Sequence, residues 1–471
     1  MFHRTKEDFY RDSRFEGMRP LELKLWLSSP TMHGDELRWV EDAIESNWVT
    51  TLGANVDAVE KGIAEKTGRA HAVGLSSGTA ALHMAIRLAG ERLYGAGSAN
   101  RGVLDGKRVF CTDMTFDATV NPVAYEGGEA VFIDTERDSW NMDPEALERA
   151  FRLFPDTKLV VYAHLYGTPG RADEICGIAK EHGALVVEDA AESLGASYKG
   201  IPTGKFGDYS VVSFNGNKII TGSSGGVFLA DEAEDADAVR KWSTQARERA
   251  PWYQHVELGY NYRMSNIVAG VARGQIPYLE EHISQKKEIY ERYREGFRNL
   301  PIAMNPIPGD CEANYWLSCL TVNPEAMCVQ ARSDERAVYD TEKGKSCPTE
   351  ILNALAAFNA EGRPIWKPMH MQPIYAGRPF VCRNGSVRGR KELPNTGGRT
   401  AREDGVGGGA ANVGGRVAGN IMGGGASNVG GAVVTDIGAD IFERGLCLPS
   451  DNKMTPQMQD AVIEIVKRCF L

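Results

Sequence analysis

Between about residues 70 and 230 the chain alternates short apolar, β-branched runs with stretches of helical period, and nothing else in the sequence constrains its fold as strongly. The runs are His71–Leu75, Arg108–Cys111, Ala130–Asp134, Leu159–Ala163, Leu185–Glu188, Ser210–Phe214 and Gly226–Leu229. Helix-period stretches separate several of them, such as Ala80–Leu93, Pro144–Phe154 and Ala172–His182. A strand apolar on both sides is buried on both faces, and strands that alternate with helices pair in parallel through crossovers. The pattern predicts an α/β domain with a large, mostly parallel, seven-stranded sheet.

Residues 1–24 are polar and read as a loose leader. The large domain is expected over 25–300. From Asp35 to Ser46, Leu37, Val40 and Ile44 recur at helical spacing, with Asp35 as the candidate cap. Beyond Met264 a single long helical pattern runs to about Phe297, with Ile276, Leu279, Ile283 and Tyr290 on one side. A smaller α+β domain is expected over 301–471, with a polar insert near 325–346 and a glycine-rich insert at about 383–438. The second insert holds a near-repeat, GGGAANVGG at 407–415 and GGGASNVGG at 423–431. It lacks the apolar surface to offset the entropy of ordering its backbone, so it is expected to be disordered. No strand and helix bracket its glycines, which weakens a phosphate-loop reading.

A chain of 471 residues, 42% of them hydrophobic, can bury a substantial core. No run approaches the roughly 18 apolar residues of a membrane span, and the opening MFHRTKED has no apolar signal core. A net charge of −10 argues against a nucleic-acid partner, which needs a basic face. The nine cysteines are widely spaced with no C-x-x-C pair, which suits neither a disulfide framework nor a zinc site. The expectation is an acidic cytoplasmic enzyme with no membrane or nucleic-acid partner.

Four segments of the α/β region carry groups suited to a charged, phosphorylated aromatic ligand. Leu75-Ser76-Ser77-Gly78-Thr79-Ala80 is a strand, a small-residue turn and a helix start, where Thr79 and free amides would attract an anion. An ordinary capped helix would look the same. Val186-Val187-Glu188-Asp189 ends an apolar strand in acids, at the edge where open α/β sheets bind ligands. An acid there can hold a proton on a pyridine nitrogen, but metal ligands and caps also follow strands. Lys218, in Ser213-Phe214-Asn215-Gly216-Asn217-Lys218-Ile219-Ile220, stands between apolar runs beside a glycine-rich turn. A buried lysine can form a Schiff base, whereas a surface lysine beside a hairpin would do nothing of the kind. Phe116 follows the Arg108–Cys111 run and could stack on a ring, although an isolated Phe is more often core.

Taken together, these segments resemble the DegT/StrS sugar aminotransferases, pyridoxal-phosphate enzymes of the aspartate aminotransferase fold (fold type I). The likeness covers about 25–300, 363–375 and 443–471. It rests on SSGTAALH at 76–83, TF at 115–116, HLYG at 164–167, EDAAESLG at 188–195, SFNGNKII at 213–220 and GYNYRMSN at 259–266. Within the family it is most similar to the UDP-N-acetylbacillosamine-type branch, through EDAAE with Glu192, STQARE at 243–248, RPIWKPMHMQ at 363–372 and GLCLPS at 445–450.

The resemblance implies pyridoxal 5'-phosphate as cofactor, with Lys218 as the Schiff-base lysine and acid/base. Asp189 would pair with the pyridine nitrogen, Phe116 would stack on the ring, and Glu192 would sit near the ring hydroxyl. Gly78, Thr79, the adjacent amides and Ser213 would hold the phosphate. Asn261 would reach the phosphate of a neighbouring subunit's cofactor, which implies a homodimer with active sites at the subunit interface. His164, Trp366 and His370 are candidate substrate residues. The implied reaction moves an amino group from glutamate to C4 of a nucleotide-linked 4-keto-6-deoxy sugar, a UDP-4-keto-6-deoxy-N-acetylhexosamine, for glycan or polysaccharide synthesis. A C3 aminotransferase on another keto-sugar or a cyclitol would share the cofactor motifs. A non-catalytic scaffold that keeps the fold is the alternative of another class. The related dehydratases carry histidine where this chain has Lys218.

Overall fold

The computed structural model describes residues 4–333, 336–384 and 436–471. All seven expected strands form, as β1 (His71–Leu75), β2 (Arg108–Thr112), β3 (Glu129–Ile133), β4 (Leu159–Ala163), β5 (Leu185–Asp189), β6 (Tyr209–Ser213) and β7 (Gly226–Ala230). Their sheet is eight-stranded rather than seven-stranded, ordered β1-β7-β6-β5-β4-β2-β3 with Phe380–Val381 added beside β3. Two residues drawn from so far along the chain are too short to show a strand period. Every neighbouring pair is parallel except those made by β7, which runs antiparallel to β1 and β6.

Every residue of β4, β6 and β7 is buried, as strands covered on both faces must be. Met84, Ile86 and Leu88 of the helix Gly78–Tyr94 share one core with Val109, Cys111 and Val187 on one face. On the other, Phe110, Val131 and Tyr162 meet Leu147 and Phe151 of Pro144–Leu153 and Ile175 of Ala172–Glu181. This three-layer sandwich is the α/β architecture of the large domain.

The expected leader is not loose. Thr5 and Asp8 form a capping box on the helix Lys6–Arg11, and Phe9 and Phe15 are buried in a core with Phe297, Leu320, Leu355 and Val466. Arg14 Nη2 sits 2.8 Å from the buried Glu350 carboxylate, and the Tyr10 hydroxyl donates to the Ala357 carbonyl at 2.7 Å. Polar residues mislead here because their charges neutralise a buried acid. That core also covers a four-stranded antiparallel sheet of Ile302–Met304, Cys319–Val322, Gly445–Cys447 and Arg363–Pro364.

Three local expectations are corrected. The long pattern after Met264 is two helices, Asn266–Gln275 and Leu279–Gly296, split by a 3₁₀ turn that contains Pro277, which lacks a backbone donor. The helix at Asp35–Glu45 is capped by Gly34 at φ +102°, not by Asp35, and the Glu36 carboxylate accepts the His33 and Gly34 amides. Its Leu37 and Ile44 are exposed rather than turned into the core. In the polar insert near 325–346, Gln330–Arg332 and Ala337–Tyr339 pair as a hairpin.

The glycine-rich repeat lies outside the described residues, but the chain on both sides of it meets at one residue. Asp134, just past β3, donates its amide to the Val381 carbonyl at 2.9 Å. Its carboxylate accepts the amides of Ile437 and Gly438 at 3.3 and 3.2 Å. Among the described residues no helix is long and apolar enough to cross a membrane.

Candidate active site

Strand ends that point the same way gather the candidate residues along the C-terminal edge of the sheet. Past β1, Ser77 caps the helix Gly78–Tyr94 by accepting the Ala80 amide at 3.0 Å. The Thr79 amide and hydroxyl have no hydrogen-bond partner among the described residues. Ser213, at the end of β6, faces this turn so closely that only glycine fits at position 78. The start of the helix and the Ser213 hydroxyl therefore lie side by side, and a phosphate dianion suits this positive end of a helix dipole.

Asp189, the last residue of β5, is buried and accepts the Thr119 hydroxyl at 2.7 Å and the Ala191 amide at 3.0 Å. Burial pushes its carboxyl above the usual carboxylate range, against the pull of those donors, of Lys218 and of His164. Glu192 is buried three residues on and accepts the Tyr166 amide at 2.7 Å. Burial raises its carboxyl to about 7, with the Lys218 ammonium opposing the rise. Two acids that resist ionisation thus lie within electrostatic reach of one lysine.

Lys218 is half-buried in the turn after β6, its amide bonded to the Asn215 carbonyl at 3.0 Å. Its ammonium stands over the ring of Trp316, 4.5 Å from the centroid. The wall beyond is aromatic. Trp366 lies 5.4 Å from Phe116, 5.2 Å from Tyr166 and 6.3 Å from Trp316, ring centre to ring centre. Phe116 is 53% exposed, so its ring is available to a ligand rather than committed to the core. The Tyr166 hydroxyl accepts the Trp366 amide at 2.9 Å, which anchors the segment after Arg363 to the end of β4.

The remaining expected residues stand apart. His164 has no exposed side-chain surface: Nε2 bonds Glu188 at 3.0 Å, and Nδ1 accepts the Gly170 amide at 3.0 Å. Both ring nitrogens are therefore engaged within the chain, and the side chain is buried rather than open to the cleft. His370 is an anchor rather than an open ligand. Its Nδ1 meets Asp113 at 2.7 Å, its Nε2 meets Asp436 at 3.2 Å, and its ring stacks on Phe380 at 3.9 Å. Burial alone would lower its pKa, but Asp113 and Asp436 outweigh burial and hold it at about 10. Asn261 is exposed, and its carboxamide makes no hydrogen bond among the described residues. Thr119, Tyr166, Asn314 and Trp316 were not singled out from the sequence. Tyr166 lies within the HLYG motif, and Asn314-Tyr315-Trp316 is a cluster of large and polar residues just before an apolar strand.

An anion seat at one end and a buried acid at the other fix the ligand's ends. Asp189 calls for a cation deep in the cleft, which a protonated pyridine supplies, while the Thr79 turn calls for a phosphate. A lysine lies between them and an aromatic face stands open, so pyridoxal 5'-phosphate fits the residues present. With the largely parallel sheet, these features define a pyridoxal-phosphate enzyme of fold type I. The chain belongs to the DegT/DnrJ/EryC1/StrS aminotransferase family, whose sequence model matches residues 30–384, and is a pyridoxal-phosphate-dependent sugar aminotransferase. It is 36% identical over 452 residues to EpsN of Bacillus subtilis (strain 168), named as a pyridoxal phosphate-dependent aminotransferase, covering 95% of this chain and 96% of that one. It is 30% identical over 348 residues to the GDP-perosamine synthase of Escherichia coli O157:H7, covering 74% and 86%. The fold also matches PseC of Helicobacter pylori, an aminotransferase involved in the biosynthesis of pseudoaminic acid, with TM-score 0.72 at 18% identity over 95% of this chain and 99% of that one.

Bound there, the cofactor would supply an electron-withdrawing ring that takes up negative charge developing on the substrate carbon that carries the amino group. The chain contributes the rest. Asp189 would hold the proton on the ring nitrogen, and the Thr79 turn and Ser213 would grip the phosphate. Phe116 would cover one ring face, Glu192 would meet the ring hydroxyl, and Lys218 Nζ would anchor the cofactor and carry the moving proton.

Proposed function

We propose that the enzyme transfers an amino group from glutamate to C4 of a nucleotide-linked 4-keto-6-deoxy sugar, with a UDP-4-keto-6-deoxy-N-acetylhexosamine as substrate. The observation that carries this reading is the wall opposite Lys218. The RPIWKPMHMQ segment is tied to the cleft through Trp366 and the Asp113–His370 pair, and it leaves Trp366 beside the exposed Phe116. An aromatic face of this kind suits the apolar side of a deoxy sugar. Likeness to a protein named for GDP-perosamine supports a nucleotide-linked sugar as the substrate class.

The active unit in this proposal is a homodimer. Leu37, Ile44, Trp48, Val49 and Leu52 are exposed along one stretch of chain, and Trp252, Tyr253, Val256 and Leu258 are exposed just before Asn261. Patches of this kind mark protein contacts, and a second copy seated there would bring Asn261 toward its partner's cofactor.

Purified enzyme should be incubated with glutamate and a panel of UDP-, GDP- and dTDP-linked 4-keto-6-deoxy sugars, and the new amino group located by NMR. Amination at C4 of the UDP-linked N-acetylhexosamine is expected. A product aminated at C3, or turnover confined to another nucleotide or a cyclitol, would overturn the substrate assignment. Failure of the protein to show a borohydride-bleachable yellow band would favour a scaffold.

A further inference from the structure

The peptide preceding Lys218 is held from outside the large sheet. The Asn217 carbonyl accepts the Trp316 indole N–H at 2.6 Å and the Ser28 hydroxyl at 3.2 Å. Trp316 is buried, and its ring face is the surface on which the Lys218 ammonium rests. The indole thus fixes two things at once: its edge holds the backbone at residue 217, and its face holds the side chain of residue 218. Aromatic faces attract ammonium groups at this range, most strongly where water is excluded.

Trp316 is itself fixed by the active-site frame. The Asn314 carboxamide oxygen accepts the Trp316 amide at 2.9 Å, while its Nδ2 donates to the carbonyls of Glu192 and Leu194 at 2.8 and 3.0 Å. The Tyr315 between them adopts φ +56°, a left-handed conformation that a bulky residue keeps only when its surroundings enforce it. Gly167 makes room for this arrangement, because at φ +93° a Cβ there would meet the Asn314 carboxamide at 2.0 Å. One short segment therefore links Glu192, the turn after β4 and the Lys218 peptide.

We propose that Trp316 is a positioning residue for Lys218, setting both the place of its peptide and the seat of its free amine. The proposal rests on Lys218 being the lysine that links to the cofactor. The test is a double-mutant cycle on the full chain, with Trp316→Leu and Trp316→Phe each made alone and in the Lys218→Ala background. The cofactor is stripped, pyridoxal 5'-phosphate is titrated back by absorbance, and the borohydride-trapped adduct is located by peptide mass. Trp316→Leu should weaken cofactor affinity about tenfold and lower the trapped fraction, with Trp316→Phe intermediate because it keeps the ring face. With Lys218 removed, neither change should shift affinity more than about twofold, since residues that act only through each other lose their effect when the partner is gone. An equal loss in both backgrounds overturns the proposal, and so does unchanged affinity and trapping in the single variants. If Trp316→Leu fails to fold by circular dichroism, Trp316→Phe carries the same cycle. A wild-type adduct on a different lysine would overturn the role of Lys218 itself, and that of Trp316 with it.

Discussion

Gly78 approaches Ser213 so closely that a Cβ on residue 78 would stand 2.9 Å from the Ser213 Cβ and 3.0 Å from its hydroxyl. The helix start and the end of β6 can form one anion seat only because residue 78 has no side chain. Gly78→Ala should push the two apart and weaken pyridoxal 5'-phosphate binding by at least about tenfold, a loss of about 1.4 kcal/mol. Absorbance titration of stripped protein measures it directly, and inorganic phosphate should weaken in parallel. Unchanged affinity for both would mean the phosphate is held elsewhere.

Asp189 separates stability from function. Its carboxyl is pushed up by burial, so the folded state disfavours its ionised form. A raised folded pKa makes the protein lose stability as pH climbs past the ordinary Asp value. Asp189→Asn removes that cost, and the melting temperature of the cofactor-free protein at pH 8 should stay level or rise. The amide cannot hold the pyridine protonated, so turnover should fall by about a hundredfold or more. A variant that melts markedly lower yet turns over normally would make Asp189 a structural residue.

The parts of the fold that were legible are those with a long, clean period. Each of the seven strands fell within a residue or two of its expected bounds because both-face burial imposes continuous apolar runs. Lys218, Asp189 and the Thr79 turn were legible because their short motifs combine unusual residue types in fixed order. Phe380–Val381 was not, since a two-residue edge strand is selected by its neighbour β3 rather than by its own sequence. His164 misled in the same way: a histidine beside a strand end reads as a ligand, and only the structure shows Glu188 and the Gly170 amide occupying its two nitrogens. Leu37 and Ile44 carried a true helical period, but periodicity does not say whether a face meets the core or another chain.

His370 should make stability pH-dependent in a defined window. Its folded pKa of about 10 lies above the ordinary 6.5, so its contribution is fully present below about pH 6.5 and is lost as pH rises through 10. The facing groups are Asp113 and Asp436, with Asp134 close by and Phe380 stacked on the ring. His370→Gln should cost about 3 kcal/mol at pH 6, in the range for breaking a buried ion pair. The gap between variant and wild type should shrink steadily between pH 7 and 10 in chemical denaturation. A gap constant across that range would mean the imidazole is held neutral.

Asn261 tests the dimer. Neither Asn261→Ala nor Lys218→Ala alone should support full turnover, the first through poor cofactor retention and the second through loss of the anchoring amine. In a mixed dimer with contacts made across the interface, one site carries both defects and the other carries neither. Mixing and refolding the two variants should therefore restore up to about a quarter of wild-type activity, because about half the dimers are mixed and half of their sites are intact. No recovery, with mixed dimers shown to form, would place Asn261 in its own subunit's site.

Asp134 makes the glycine-rich region testable from its flanks. Its amide holds Val381 before the region and its carboxylate holds Ile437 and Gly438 after it, so the chain departs from and returns to one residue at the end of β3. Arg383 is also tied down, 2.9 Å from the Asp143 carboxylate. A linker of about eight residues can span roughly 26 Å, ample for ends held at a common residue. Replacing 385–435 with such a Gly-Ser linker should leave cofactor affinity within about twofold and the melting temperature within a few degrees, because the fastening at Asp134 does not depend on what lies between. Asp134→Ala in the same shortened protein should lower the melting temperature further, since the amides of Ile437 and Gly438 lose their carboxylate acceptor while Val381 keeps its bond to the backbone amide of residue 134. If the shortened protein loses its cofactor band while Asp134 is intact, the region itself supports the site.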